Sequence, residues 1–160
     1  MNSQAVVASG KKGSALPGIW WGGLICGCMD ITAAFVVYGF FGARPVRLLQ
    51  GIAGGLLGTR TYQGGFWTAA LGLACHFFIA FSAATVFWVV SRGVRFLVDH
   101  AVVSGVLYGA CVYFFMNRIV VPLSAARKSP FSLEMMLIGV AIHMVCVGLP
   151  IALAVRRYSN

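Results

Sequence analysis

Four stretches of the chain are almost free of polar residues, and short polar segments bearing glycine, proline and arginine separate them. A helix needs about 20 mostly apolar residues to cross a hydrocarbon layer of about 30 Å. Residues 18–42, 66–90, 101–121 and 133–155 meet that length. Pro17 suits the first turn of the first span, Ser91-Arg92-Gly93 stops the second, and Pro122 closes the third. Ser132 and Glu134 supply an N-cap and an acidic first turn for the fourth. Unbroken hydropathy argues against the alternating strands of a barrel. The pattern predicts an all-α polytopic membrane protein, four transmembrane helices in an up-down bundle. Its single transmembrane domain covers residues 18–157, between a polar basic N-terminal segment (1–17) and a C-terminal end (158–160).

Residues 44–60 differ from the spans. Their apolar core is too short to cross, and arginines flank it. Val46, Leu49, Ile52, Ala53, Leu56 and Leu57 share one side at helical spacing, while Arg47, Gln50 and Gly54 share another. This predicts an interfacial helix on the headgroups or a re-entrant half-helix packed against the bundle.

Composition narrows the class further. The chain has 160 residues, 60% apolar and only 9% charged, which excludes an ordinary soluble domain and a disordered one. Twelve Lys and Arg against three Asp and Glu give +9, but the basic residues sit between apolar blocks, so the chain is not read as a nucleic-acid binder. Lys11, Lys12, Arg92, Arg95, Arg156 and Arg157 fall on the side of the termini; Arg44, Arg47, Arg60, Arg118, Arg127 and Lys128 fall on the other. Six against six does not choose an orientation. Discounting the 44–60 charges as an interface-bound unit puts both termini in the cytoplasm. The first span is too long for a signal peptide and is expected to stay. Cys26, Cys28, Cys75, Cys111 and Cys146 all lie inside spans, where thiols act as small apolar groups.

The informative residues are the few polar ones at mid-span. Asp30, His76 and His143 are placed at nearly the same depth by three different helices. A charge at the bilayer centre costs at least about 2.5 kcal/mol, so these groups should face protein. Small residues accompany them: Gly23 and Gly27 beside Asp30, Gly72 beside His76, Gly139 beside His143. Gly23 with Gly27 and Gly105 with Gly109 have helix-pairing spacing. Tyr113 and Asn117 form an i, i+4 pair on the third span, placed to join the cluster or to meet headgroups.

Three readings of this cluster stay open. Polar glue would have Asp30 hydrogen-bond one histidine and fix which helices touch. A proton or cation relay would use the coupled titration of a carboxylate and imidazoles, with Pro150 as a hinge. A metal or haem would be held by His76 and His143 with Asp30. His100, beside Asp99, reads as a solvated boundary residue, and Trp20, Trp21, Trp67, Trp88 and Tyr158 read as an aromatic belt. No Walker loop, dinucleotide fingerprint, HExxH or nucleophile elbow is present, so the expectation is a non-enzyme.

The stretches CMDITAAFVVYGF (28–40), ALGLACHFFIAF (70–81), YGACVYFFMNRIVVPLS (108–124) and IGVAIHMVCVGLPIALAVRR (138–157) resemble small inner-membrane proteins of Gram-negative bacteria. The later ones are loosely similar to the YagU-type inner-membrane family, through an intramembrane G-x-x-x-H and a late histidine-containing span with a proline; that family's longer acidic inserts are missing here. The resemblance implies a bacterial inner-membrane location and a family without a settled activity, and it transfers no catalytic residue. The sequence therefore predicts a helix-packing accessory or structural subunit, associating with itself or with other membrane chains in the lipid bilayer. The alternatives are a small proton- or cation-coupled transporter and, third, a haem or metal protein; no cofactor is expected under the first reading.

Overall fold

The computed structural model describes residues 15–127 and 130–159. Most of the basic N-terminal segment, with Lys11 and Lys12, and also Lys128, lie outside the described residues. Six helices account for nearly all of the rest, and there is no strand among the described residues. They are α1 (Ala15–Phe40), α2 (Pro45–Leu57), α3 (Gly65–Gly93), the single turn α4 (Phe96–Asp99), α5 (Ala101–Leu123) and α6 (Leu133–Tyr158). A 3-10 run, Gly58–Gln63, joins α2 to α3. Helices α1, α3, α5 and α6 are long and apolar enough to cross a membrane, which fits a multi-pass membrane protein. Their outer faces carry Phe40, Phe66, Trp67, Phe78 and Leu107, large apolar side chains left exposed as lipid-facing residues are.

Helix ends follow local chemistry. Ser132 caps α6, its Oγ accepting the Met135 N–H at 3.4 Å. Gly42, at φ 81°, turns the chain out of α1 while the Ala43 N–H returns to the Tyr38 carbonyl at 2.9 Å. Pro122 closes its helix as expected to within one residue, α5 ending at Leu123. A widened turn lies just before it: the Val121 N–H donates to the Met116 carbonyl, five residues back. Pro150 in α6 follows a similar turn, the Leu149 N–H donating to the Met144 carbonyl. There the i→i+5 turn makes room for a ring that would press on the carbonyl four residues back, and α6 runs on to Tyr158.

Glycines set the packing. On α1, Gly27 lies where a Cβ would stand 2.6 Å from the Phe77 ring of α3, and Gly23 meets Phe81 in the same way. The other face of α1 meets α6, where Gly18 and Gly22 approach the backbones of Val155 and Ile151. Gly105 and Gly109 on α5 leave no room for a side chain against Gly148, Leu149 and His143 of α6. Residue numbers rise along one partner as they fall along the other, so each of these pairs is antiparallel.

Helix α2 departs in part from the amphipathic expectation. Ala53 of the apolar side is buried and Arg47 of the polar side exposed, as expected. Gln50, expected on the polar side, is 3% exposed, whereas Val46, Leu56 and Leu57 are exposed. Gly72 of α3 explains the contact, since the Leu49 carbonyl and Ala53 N–H of α2 occupy the space of its missing Cβ. Gln50 Nε2 donates to the Gly65 carbonyl (2.9 Å) and to Thr68 Oγ1 (3.2 Å), and Thr61 Oγ1 donates back to the Gln50 carbonyl (2.8 Å). A buried amide is tolerated because its donors are matched, and the network ties α2 to the start of α3.

The tightest packing lies toward one end. Ala84, Phe87, Ala101, Ile151, Ala152 and Val155 form the buried core at the end where α3 finishes and α5 begins, and Cys26, Ala80 and Val147 extend it to mid-helix. Tyr108 joins it, its ring 5.0 Å from Phe87 and its hydroxyl donating to the Ala83 carbonyl at 2.7 Å. Toward the other end α3 and α5 do not pack closely, and the interior is hollow.

Candidate functional site

Two adjoining cavities fill the hollow half. One, of about 500 Å3, lies between α1, α5, α6 and the segment before α6. It runs from Arg127, Phe131 and Ser132 inward to Asp30 and His143. The other, of about 310 Å3, lies toward α3 and holds His76, Ile52, Ile79 and Met116 on its walls. Asp30, Tyr38, Asn117, Val121 and His143 line both, so the Asp30 and His143 side chains stand at the junction.

Asp30 and His143 come together with Oδ1 3.9 Å from Nδ1 and side-chain exposures of 19% and 22%, and no other acid–base pair among the described residues lies within 4 Å. That spacing is in ion-pair range for a protonated ring but is too long for a hydrogen bond. The His143 Nδ1–H donates instead to the Gly139 carbonyl one turn back, at 2.9 Å. A carbonyl only accepts, so the proton of the neutral ring sits on Nδ1 and Nε2 is left as the acceptor. Tyr113 meets the imidazole edge-on, ring centres 5.2 Å apart, and its ring fills the space that Gly139 leaves open. His143 opens the widened turn of α6, and Asn117 lies within that of α5. Such turns are frequent at functional sites, since they re-aim side chains within an otherwise regular helix.

The remaining sequence candidates separate by role. His76 faces inward, but its Nε2–H donates to the Gly27 carbonyl at 2.9 Å, binding α3 to the backbone of α1 and not to Asp30. The expected glue thus exists with different partners. Asn117 is exposed to the cavities and donates to the Tyr113 carbonyl at 3.0 Å. Gly23, Gly27, Gly72, Gly105, Gly109 and Gly139 are all spent on contacts within the chain. His100 lies exposed, stacked on Phe96 with ring centres 4.3 Å apart. The donor set does not suit a metal: among the described residues no three of His, Cys, Asp and Glu come together to hold one. His76 lines the smaller cavity with His143, but its Nε2–H is committed to the Gly27 carbonyl, which takes that nitrogen away from a haem iron.

Residues that the sequence reading passed over complete the site. Arg118, Arg127 and Tyr38 line the larger cavity, and no carboxylate among the described residues lies within 4 Å of either arginine. Arg118 falls near the end of the predicted third span, among otherwise apolar residues, where its long side chain reaches headgroup depth. That position was the available signal. Tyr108 carried none, since one tyrosine in an apolar span reads equally well as lipid-facing.

Comparison with protein-family models, curated proteins and solved structures gives no match in any of the three. The similarity to the YagU-type family therefore rests on the quoted stretches alone.

Proposed function

We propose that the protein is a small proton-coupled carrier of the bacterial inner membrane. In this reading it is a four-span up-down bundle with both termini cytoplasmic and α2 set as a half-helix on the opposite side. Asp30 and His143 are the proton-exchanging pair. The observation that supports it is their position at the junction of two cavities, the larger of which runs to Arg127, Phe131 and Ser132, with packed core toward the other end of the bundle. A carrier site needs access from one side, a barrier on the other and a group whose charge changes at the boundary. The Asp30 carboxylate and His143 Nε2 can each take one proton from cavity water and release it again. Tyr38 and Cys26 on α1, His76 on α3, Tyr113 and Arg118 on α5, Arg127 before α6 and Cys146 on α6 are the titratable and charged surroundings. The widened turns ahead of Pro122 and Pro150 supply backbone that can re-wind without unfolding the helices. The packing-subunit expectation draws less support, because the glycines that suggested association are engaged inside the chain.

The test is solute-dependent proton movement into proteoliposomes loaded with a pH-sensitive dye, across cationic, zwitterionic and anionic solutes. Wild type should move protons with at least one class, and Asp30→Asn should abolish the movement while eluting as a folded species. Equal signals from wild type and empty liposomes across all classes would refute the carrier.

A further inference from the structure

The geometry points to a phosphorylated single-chain lipid as the ligand of the joined cavities, with its phosphate at Arg118 and Arg127 and its apolar chain in the crevice between α3 and α5. The inference rests on the carrier reading and names the substrate class for the same site.

Charge and shape divide the site in two. Arg118 and Arg127 line the larger cavity without a carboxylate partner among the described residues, and Asn117 and Ser132 add polar groups to the same wall. Two guanidinium groups match the charge of a phosphomonoester, and planar N–H forks suit its oxygens. Arg118 lies five residues before the end of α5, about 8 Å below it at 1.5 Å per residue. It therefore sits near headgroup depth. The smaller cavity is mostly apolar, with Ile52, Ile79, Val112, Met116 and Val147 on its walls beside His76, and it meets the larger one at Asp30 and His143. It lies where α3 and α5 do not pack closely, below the Tyr108–Ala83 hydrogen bond that joins them. A free phosphate would use the arginines and leave this apolar crevice unfilled. A neutral amphiphile would fill the crevice and leave the arginines unpaired.

Native mass spectrometry of protein released from an uncharged detergent tests this, with lysophosphatidate, monoacylglycerol and inorganic phosphate as probes. Lysophosphatidate should bind one per chain, at least tenfold more tightly than monoacylglycerol of the same chain length, and inorganic phosphate should not compete at equal concentration. Arg118→Gln should weaken lysophosphatidate at least tenfold, Arg127→Gln should also weaken it, and Ile79→Trp should block it by filling the crevice. Arg95→Gln, at the far end of the bundle, should leave it unchanged. Equal binding of monoacylglycerol, effective competition by inorganic phosphate, or an unchanged Arg118→Gln would each overturn the proposal. These measurements use no pH gradient. Binding without proton movement would remove the carrier and leave the lipid site, and proton movement driven by a water-soluble solute without lipid binding would do the reverse.

Discussion

Gly109→Ala probes the seam on which the site is built. At Gly109 the backbones of α5 and α6 touch: an added Cβ would occupy the space of the His143 carbonyl and crowd Met144 Cα, 2.7 Å away. Neither is a side-chain end that can rotate away, so the helices must separate. Overpacking of this kind costs about 1–3 kcal/mol, and contact with backbone places it at the upper end. Alanine returns about 1 kcal/mol in helix propensity. The expected net loss is about 2 kcal/mol. Gly39→Ala is the control, since nothing lies within 4 Å of its added Cβ, and it should gain roughly 0.5–1 kcal/mol. Reversible unfolding in mixed micelles, followed by helical circular dichroism, should separate the two variants by about 3 kcal/mol. Gly148→Ala presses on Gly105 and Gly109 across the same seam, so the double variant with Gly109→Ala should cost less than the sum. Finding Gly109→Ala and Gly39→Ala within about 0.5 kcal/mol of each other would refute this account of the seam.

Other substitutions test separate links. Gln50→Leu removes the amide's bonds to the Gly65 carbonyl and Thr68 Oγ1, which still bond to each other, so it should cost about 0.5–1.5 kcal/mol and speed tryptic cleavage at Arg47 or Arg60 as α2 loosens. Tyr108→Phe removes the hydroxyl joining α5 to α3 and should cost about 0.6 kcal/mol, at most about 1.7, in the same unfolding assay. Ser132→Ala deletes the cap of α6; at 3.4 Å that bond is long, so the loss should be near the low limit of about 0.5 kcal/mol.

How much of this the sequence disclosed follows from how local each cause is. Span existence depends on length and hydropathy, and each of the four expected spans has its helix, with ends that differ by at most three residues. The Ser132 cap was equally local. Pro122 marked the end of α5 to within one residue, because its missing N–H is a local cause, while the wider turns before Pro122 and Pro150 have no sequence mark. Gln50 misled because the polar side of α2 was assigned to water. Whether an amide faces water or a carbonyl on the next helix depends on Gly65 and Thr68, 15 and 18 residues away. The mid-depth rule brought Asp30 and His143 together correctly as neighbours. It could not show that His76 would spend its proton on the Gly27 backbone, because a carbonyl partner is available in every helix.

The claim most in need of direct measurement is that Asp30 stands at the end of an aqueous cavity reached from one face. With the five native cysteines replaced, Asp30→Cys in sealed vesicles of known orientation can be treated with a small membrane-impermeant thiol reagent. The account predicts labelling from the face that carries Arg44 and Arg60, and protection from the face that carries Arg92 and Arg156. Labelling from the second face, or none from either while the denatured protein labels fully, would contradict it.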